Sequence, residues 1–357
     1  MPQPLPDTMR AARLHATASD PERGPSAADV RIDELAVPEP GPGEVLVAVA
    51  ACGVCASDLH VALGITPAAT LPLTLGHEAA GTIAAVGDDV GDWQVGDRVL
   101  VPAGRSCGTC ALCRTGRDNL CQEVAVLGVD VDGAQAGWVR VPARLPLPVP
   151  GHVDLVEAAI LADAVATPYH ALKRGGIGDG MVAVVIGLGG LGMHALQLAR
   201  LAGAEVIGID VDEVALQRAR EWGAVEVVDA SRPDAGAHVR SLTGGGADVS
   251  FEFVGSADTA ALASSVLAPG GRATLAGIGR DRLAGPPLGL FVSREQEVVG
   301  SFGATTSDVN ELLDLLDAGR LDLSRSISHR LDIDDFPTAL EMLHTRHDHP
   351  LRIVITH

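Results

Sequence analysis

Residues 181–192 read MVAVVIGLGGLG, and this stretch decides the class of fold. The first six residues are apolar and mostly β-branched, which predicts a buried strand. The next six form a G-x-G-x-x-G motif at the start of a helix predicted to run to Ala202. The glycines permit a tight turn and a close approach of backbone to a pyrophosphate, at a helix N-terminus of positive potential. The predicted dinucleotide-binding residues are Gly187, Leu188, Gly189, Gly190, Leu191 and Gly192.

The chain around this loop predicts a doubly wound parallel sheet. From about residue 180 to residue 300, apolar strands alternate with helical segments, as parallel strands joined by helical crossovers require. The predicted strands read MVAVVI, EVIGID, VEVV, ADVSFEF and RATLAGI. His194 lies on the first of the helices and is predicted at its surface or near the cofactor edge. This part of the chain is accordingly predicted to be a Rossmann-type α/β domain.

Asp210 ends the second predicted strand, eighteen residues after the last glycine of the loop. A carboxylate at this position can accept hydrogen bonds from ribose hydroxyls, and its charge repels a 2′-phosphate. The next two residues include no arginine that would neutralise such a phosphate. The expected cofactor is therefore NAD rather than NADP. The alternative is that Asp210 only caps the helix that follows.

The N-terminal half has a different pattern. Short apolar runs such as residues 44–50 (EVLVAVA) are interrupted by Gly, Pro and Asp, which predicts an irregular antiparallel β-rich domain. Beyond residue 300, two helices and a final strand are expected to return to this domain. A length of 357 residues also favours two domains. The predicted division is a β-rich domain over 1–165, a nucleotide-binding domain over 166–299 and a return segment over 300–357.

Composition argues against several classes of partner. The chain has 46 acidic and 26 basic side chains, and its formal charge of −20 repels nucleic-acid phosphates and anionic membrane surfaces. Its N-terminus lacks the apolar core of a signal peptide, and no stretch of about 18 apolar residues offers a membrane span. We expect a cytoplasmic protein with no nucleic-acid or membrane partner.

Four cysteines follow the pattern C-x2-C-x2-C-x7-C: Cys107, Cys110, Cys113 and Cys121. A short loop with this spacing can place four thiolates around one tetrahedral ion, and a closed tetrathiolate leaves no position for substrate. The prediction is therefore a structural zinc site. The alternative, an iron–sulfur centre, fits the spacing poorly. Disulfides are not expected in a long chain without an export signal.

Six motifs occur in order along nearly the whole chain. They are CGVCASDLH at 52–60, GHEAAGTI at 76–83, GDRV at 96–99, the four cysteines, GLGGLG at 187–192 and LRIVIT at 351–356. Together they resemble the zinc-dependent alcohol dehydrogenases of the medium-chain dehydrogenase/reductase family. The resemblance implies a GroES-like catalytic domain that holds both a catalytic and a structural zinc ion, followed by an NAD-binding Rossmann domain.

The resemblance also implies the ligands of the catalytic zinc ion. By position in the motifs, Cys55 and His77 match the first two ligands. The third ligand is often a cysteine, but the matching position here is Asp163, as in family members that use aspartate. The alternative for Asp163 is a helix cap. Glu78 is implied to sit behind the metal and assist ligand exchange, and whether Asp163 or Glu78 completes the zinc ligands stays open. Cys52 matches a position that does not bind metal.

Further polar residues receive roles from the same resemblance. Asp58 resembles the carboxylate that orients the zinc-bound imidazole. Ser57 matches the hydroxyl that takes the substrate proton, and His60 matches the histidine that relays it outward. Arg352 resembles the arginine that pairs with the cofactor pyrophosphate. The alternatives are a plain surface histidine at position 60 and a surface salt bridge at position 352.

The implied function is reversible oxidation of an alcohol to an aldehyde or ketone, with hydride transfer to NAD. Ala62, Leu63 and Ile65 stand where some relatives carry bulky aromatics, which predicts a roomy aliphatic pocket for secondary or medium-length alcohols. The short connection from Cys121 to Asp163 resembles that of tetrameric microbial members and predicts a homo-oligomer, with a tetramer favoured over a dimer. Two alternatives remain: a zinc-free enoyl or quinone reductase on the same fold, and a non-enzymatic zinc- and dinucleotide-binding sensor.

Overall fold

The structure is a computed structural model that describes residues 5–20, 22–26, 29–283 and 285–357. Its contacts divide the chain into two compact units. The first unit comprises Met1–Asp163 and Thr305–His357, and the second comprises Ala164–Ala304. The sequence places the corresponding bounds at residues 165 and 300, a few residues away from each junction.

The described residues form short strands in the first unit and alternating strands and helices in the second. The strands are β1 (Thr8–Leu14), β2 (Val30–Ala36), β3 (Glu44–Val54), β4 (Leu73–Thr74), β5 (Glu78–Val86), β6 (Arg98–Val101), β7 (Gly104–Arg105), β8 (Ala125–Val126), β9 (Trp138–Pro142), β10 (Leu147–Pro148), β11 (Val182–Ile186), β12 (Glu205–Asp210), β13 (Glu226–Asp229), β14 (Ala247–Glu252), β15 (Leu267–Leu275), β16 (Glu297–Gly300), β17 (His329–Asp332) and β18 (Ile353–Thr356). The α-helices are α1 (Ala56–Ala62), α2 (Ala111–Arg114), α3 (Leu155–Ile160), α4 (Ala166–Gly175), α5 (Gly190–Leu201), α6 (Glu213–Glu221), α7 (Ala235–Leu242), α8 (Ala257–Ser265), α9 (Leu288–Ser293), α10 (Thr306–Asp317) and α11 (Phe336–Thr345).

The first unit is built around β3, an almost continuous apolar run of 11 residues. A run of this kind predicts a strand with covered faces, and β3 indeed lies inside a seven-stranded sheet. Six strands follow the order β10-β6-β5-β3-β18-β17, and the seventh, β9, also pairs with β3. A three-stranded sheet of order β2-β1-β4 and the short β7–β8 pair complete the unit. The irregular antiparallel β-rich domain predicted from the sequence is confirmed.

The second unit contains one six-stranded parallel sheet of order β13-β12-β11-β14-β15-β16. Its apolar core is formed by strand and helix residues such as Val184, Ile207, Val239 and Ala263. The strand order reverses between β11 and β14, so the ends of these strands form the topological switch point where α/β folds bind ligands. The predicted Rossmann-type sheet is confirmed.

No helix among the described residues is long and apolar enough to cross a membrane.

Candidate metal centres and nucleotide-binding loop

The four predicted cysteines come together in one loop of the first unit. Their ligand atoms lie within 4.8 Å of one another. The Sγ atoms of Cys107 and Cys121 are 3.5 Å apart, as are those of Cys110 and Cys113, while Cys107–Cys113 and Cys110–Cys121 are 3.9 Å apart. Four sulfurs at about 2.3 Å from a tetrahedral zinc ion would lie about 3.8 Å from each other, so the donor set fits zinc.

Backbone amides also point at these sulfurs. The N–H of Cys110 donates to Cys107 Sγ at 3.4 Å, and the N–H of Cys113 donates to Cys110 Sγ at 3.5 Å. Hydrogen bonds from the backbone and side chain of Thr109 and from the backbone of Cys110 lower the pKa of Cys107 to about 6. Donors arranged in this way favour thiolates at Cys107 and Cys110, the form of cysteine that binds metal. Desolvation and the neighbouring Cys110 sulfur instead raise the pKa of Cys113 to about 11, so this thiol needs a bound cation to lose its proton.

A second group of potential metal ligands consists of Cys55, His77, Glu78 and Asp163. Asp163 Oδ2 lies 3.4 Å from Cys55 Sγ and 3.5 Å from His77 Nε2. All four ligand atoms fall within 4.8 Å of one another although Asp163 is 108 residues from Cys55 in sequence. Among the described residues this group and the cysteine loop are the two clusters of this type.

Each ligand is placed by a local break in regular structure. Cys55 is the N-cap residue of α1, at the end of β3. His77 stands just before β5 and follows Gly76, whose φ of 95° favours glycine.

Asp163 lies in a π-helical turn, Leu161–Val165, between α3 and α4. Such turns are rare and often occur at functional sites. Because Asp163 is inside this turn, and Val165 is the N-cap residue of α4, the alternative that Asp163 is a helix cap is wrong.

Asp58 connects the two segments that carry Cys55 and His77. One carboxylate oxygen accepts the N–H of Cys55 at 2.9 Å, and the other accepts the N–H of Gly76 at 2.9 Å. Asp58 Oδ1 is also 3.6 Å from His77 Nδ1. Asp58 is fully buried, so these contacts fix both ligand-bearing segments in one relative position.

Charge in this buried group favours a cation. Burial acts to lower the pKa of His77, but the negative charge of Asp58 and the hydrogen bond to Asp163 raise it well above its ordinary value. Burial raises the pKa of Glu78 to about 7, while Arg352 acts in the opposite direction. Burial of several acidic groups next to one imidazole costs free energy unless a positive charge compensates their negative charges. A divalent metal ion supplies that charge, and the donor set suits zinc.

Arg352 is buried, with 3% of its surface exposed, and pairs with Glu78. Its Nη1 lies 3.1 Å from Glu78 Oε1 and donates to the carbonyl oxygen of Val54 at 3.1 Å. The charge of Glu78 keeps the pKa of Arg352 high although burial opposes it. The alternative considered for Arg352, a salt bridge, is therefore present with Glu78, but this salt bridge is buried and does not lie at the surface.

The neighbours of Cys55 differ in accessibility. Ser57 is partly exposed, and its Oγ lies 3.8 Å from Cys55 Sγ. His60 is half-buried, and burial lowers its pKa. Cys52 is fully buried and lies outside the ligand group, and burial raises the pKa of its thiol well above the ordinary range. Cys52 is thus held as a neutral thiol, unlike a metal ligand.

Three residues expected to shape a substrate pocket lie in the apolar core of the first unit. Ala62 and Leu63 are buried in the cluster that contains Leu14 and Phe336, and Ile65 packs against it. Their side chains therefore contribute to packing, which the sequence did not reveal.

The glycine loop of the second unit has the predicted geometry. Gly187 has a φ of 86°, and a Cβ at Gly192 would lie 1.7 Å from the carbonyl oxygen of Gly187. Gly189 is the N-cap residue of α5, with open space where a side chain would be. This turn thus leaves room for a phosphate at the helix N-terminus.

Asp210 at the end of β12 closes the other side of the glycine loop. Its Oδ2 accepts the N–H of Leu188 at 2.6 Å, and its Oδ1 accepts the N–H of Val211 at 2.7 Å. The N-cap residue of α6 is Asp212, which accepts the N–H of Val214 at 2.9 Å. The alternative that Asp210 is that cap is therefore wrong.

His194 differs from its predicted position at the helix surface. The residue is fully buried, and its Nδ1 lies 2.6 Å from the carbonyl oxygen of Gly190. Its ring meets Trp222 edge-on, with centroids 6.5 Å apart. The imidazole therefore belongs to the packing between α5 and the end of α6.

Glu252 is a buried acid of this unit that the sequence analysis did not identify. Its Oε1 accepts the N–H groups of Val254 and Gly255 at 2.6 and 2.7 Å, and the hydroxyl of Thr259 at 2.8 Å. Val254 packs so closely on the glycine loop that a Cβ at Gly187 would lie 2.7 Å from its Cγ2. A strand-end carboxylate followed closely by glycine, as in FEFVG, was the available signal.

Comparisons with known proteins agree with this architecture. The family model of the alcohol dehydrogenase GroES-like domain matches residues 41–151, and that of the zinc-binding dehydrogenases matches residues 190–318. An NAD-dependent alcohol dehydrogenase of Sulfurisphaera tokodaii is 35% identical over 304 residues, covering 82% of this chain and 87% of that protein. The chain therefore belongs to the zinc-dependent alcohol dehydrogenases of the medium-chain dehydrogenase/reductase family, and its reaction is alcohol oxidation.

Solved structures of related enzymes have the same fold as this chain. Alcohol dehydrogenase TADH from Thermus sp. ATN1 superposes with a TM-score of 0.88 at 31% identity, covering 97% of this chain and 99% of that one. Acetophenone reductase from Geotrichum candidum, solved in complex with NAD, gives a TM-score of 0.86 at 29% identity and covers 99% of both chains.

Proposed function

We propose that the chain oxidises secondary alcohols reversibly, with NAD as hydride acceptor and two zinc ions per chain. The observation that carries this proposal is the convergence of Cys55, His77 and Asp163 on one point of the first unit. Three protein ligands leave a fourth position for substrate, which distinguishes a catalytic site from the closed four-cysteine loop. The acetophenone reductase similarity supports a secondary alcohol, because reduction of that ketone gives one.

Cys55, His77 and Asp163 would hold the catalytic ion. When bound, zinc acts as a Lewis acid that makes an alcohol O–H more acidic. Asp58 keeps the ligands in place through the backbone of Cys55 and Gly76. Glu78, paired with Arg352, supplies an additional carboxylate next to the ligand group and is proposed to assist ligand exchange.

Ser57 and His60 are proposed to move the substrate proton. The Ser57 hydroxyl accepts the substrate proton while giving up its own, and His60, three residues along α1, accepts the released proton and passes it outward. The lowered pKa of His60 keeps its imidazole neutral, and therefore able to accept a proton, at pH values where an ordinary histidine is half-charged.

The glycine loop and Asp210 are proposed to bind NAD. The nicotinamide, when bound, accepts the hydride that the alcohol carbon loses. The loop residues offer backbone to the pyrophosphate, and the Asp210 carboxylate accepts the ribose hydroxyls while opposing a 2′-phosphate. The pyrophosphate contact expected for Arg352 stays a prediction, since the polar contacts described for its side chain are with Glu78, Val54 and Cys55.

The experiment that tests the proposal combines metal analysis with a substrate screen. Wild-type protein should contain two zinc ions per chain and, in a screen of primary, secondary, cyclic and polyol substrates, should reduce NAD with secondary alcohols. Asp163→Ala should retain one zinc ion. A reductase without catalytic zinc, or a sensor with structural zinc alone, would contain one ion in wild type as well. That result, with no alcohol oxidised, would refute the proposal.

Self-association is a further part of the proposal. Strand β16 ends the parallel sheet and pairs with β15 on one side. Leu288 and Val292 on the neighbouring helix α9 are 76% and 64% exposed. An edge strand beside exposed apolar residues is suited to bind a second copy of the chain. Light scattering should give a homo-oligomer, which we expect to be a tetramer, and Val292→Lys should shift it toward smaller species. A monomeric wild type would refute this part.

The cytoplasmic location expected from the sequence stays a prediction.

A further inference from the structure

Gly53 is the single glycine of β3, the central strand of the first unit. A glycine inside a strand lowers its stability and usually marks a close approach of another group. Gly53 does not have a positive φ, so alanine could adopt the same backbone conformation. The reason for glycine at this position must therefore be the space beside it.

That space is filled by Glu78. Gly53 and Glu78 are directly opposite each other on the antiparallel strands β3 and β5. A Cβ at Gly53 would lie 2.0 Å from Glu78 Oε2, 2.9 Å from its Cδ and 3.0 Å from its Cβ. The glutamate side chain therefore folds over its cross-strand partner, which only a residue without a side chain permits.

Few polar contacts hold the Glu78 carboxylate, so the space beside Gly53 helps to fix its position. Glu78 is fully buried, and Oε1 lies 3.1 Å from Arg352 Nη1. Apart from this ion pair, neither oxygen has a hydrogen-bond partner among the described residues. At the same time, an oxygen of Glu78 is within 4.8 Å of the ligand atoms of Cys55 and His77.

We propose that Gly53 is a positioning residue of the catalytic metal site. The space left by its missing side chain holds the Glu78 carboxylate against Arg352, at the edge of the ligand group. A methyl group at position 53 displaces this carboxylate and changes the surroundings of the metal. The inference rests on the proposed catalytic zinc site.

A double-mutant cycle tests the contact. Gly53→Ala is compared with wild type, and Gly53→Ala/Glu78→Ala is compared with Glu78→Ala. The control is Gly137→Ala in the same unit, where a Cβ meets Met9 at an ordinary 3.7 Å. Three quantities are measured on the full chain: kcat/KM, the melting temperature, and the visible spectrum of protein with Co²⁺ in the catalytic site.

Gly53→Ala should lower kcat/KM by about tenfold or more, as changes to residues that contact and orient metal ligands do. It should also lower the melting temperature by several degrees and alter the Co²⁺ bands, while Gly137→Ala does none of these. In the Glu78→Ala background the same substitution should have a much smaller effect, because the contacts at 2.0 and 2.9 Å are gone and only the 3.0 Å contact with the Cβ at position 78 remains.

Two results would overturn the inference. One is a Gly53→Ala protein that matches Gly137→Ala in all three measurements. The other is a loss of the same size in both backgrounds, which would place the cause in the backbone rather than in Glu78. If Gly53→Ala does not fold, recovery of folding in the double variant supports the inference, and failure to recover contradicts it. Failure of the proposed function itself would be seen separately, as a wild-type chain without a second zinc ion.

Discussion

The carboxylate of Asp118 accepts both the backbone N–H and the hydroxyl of Thr306. The Asp118 Oδ2 atom lies 3.1 Å from the Thr306 nitrogen and 2.5 Å from its Oγ1. Asp118 stands three residues before Cys121 in the cysteine loop, and Thr306 is the first residue of α10. The loop that we propose to bind structural zinc is therefore tied to the start of the helix with which the chain re-enters the first unit.

Asp118→Ala should lower the stability of the first unit by about 1 kcal/mol, because an N-terminal amide of α10 loses its acceptor. Urea denaturation measures the change. Asp118→Asn keeps an oxygen at the same position and should retain most of the stability. Equal stabilities for the alanine variant and wild type would contradict this expectation.

Removal of zinc from the cysteine loop should loosen the start of α10. We expect a chelator to increase amide hydrogen exchange in the first turn of α10, since a disordered loop no longer holds Asp118 in place. In Asp118→Ala, exchange in this turn should already be high with zinc bound. Unchanged exchange in the chelated wild type would show that the contact does not transmit the loss of metal.

Asp163→Ala should lose the catalytic zinc ion and reduce kcat/KM by at least about 100-fold, since a ligand matters more than the residues behind it. Asp163→Cys is the matched control, because a thiolate is also a zinc ligand and should keep the ion. Zinc analysis and steady-state rates on the same samples measure both effects. Full occupancy in Asp163→Ala would exclude this residue as a ligand.

Asp210→Asn should raise kcat/KM for NADP by about tenfold or more, because it removes a negative charge close to a 2′-phosphate. Asparagine keeps an oxygen that can accept the N–H of Leu188. Asp212→Asn removes the same charge two residues further on, from the helix cap, and should leave the cofactor preference unchanged. A wild-type enzyme that prefers NADP would refute the cofactor assignment.

The pKa of His60 predicts a specific dependence of stability on pH. Burial lowers this pKa below its ordinary 6.5, so the unfolded chain binds a proton at this residue more readily than the folded chain does. The stability contributed by neutral His60 is therefore complete above pH 6.5 and is lost as the pH falls below it. Thermal melts on both sides of pH 6.5 should show a larger acid-induced loss for wild type than for His60→Asn. Equal losses would show that His60 titrates normally.

Local sequence patterns were sufficient to predict much of this structure. The G-x-G-x-x-G loop and the cysteine spacing are contiguous, so the residues that form each site are neighbours in the chain and their geometry follows from backbone rules. The alternation of strands and helices likewise predicted the parallel sheet, because the hydrophobic period and the length of each strand or helix are local properties of the sequence.

Contacts between distant segments were harder to predict. Pairing of Gly53 with Glu78 depends on strand register, and the contact between Asp118 and Thr306 joins residues 188 positions apart. The burial of His194 depends on Trp222, which lies on another element. In each case the chemistry of the residue was visible in the sequence, but its partner was set by tertiary packing.

The π-helical turn at Leu161–Val165 makes the length of this segment critical. A wide turn accommodates one residue more than an α-helical path between the same two helices. Deletion of a single residue before Asp163 in this turn would shorten the path to that of an α-helix, and the side chains that follow, Asp163 among them, would rotate by about 100° around the helix axis. The carboxylate of Asp163 would then face away from Cys55 and His77. Homologous chains that lack this extra residue should therefore be unable to use an acid at this position as a metal ligand.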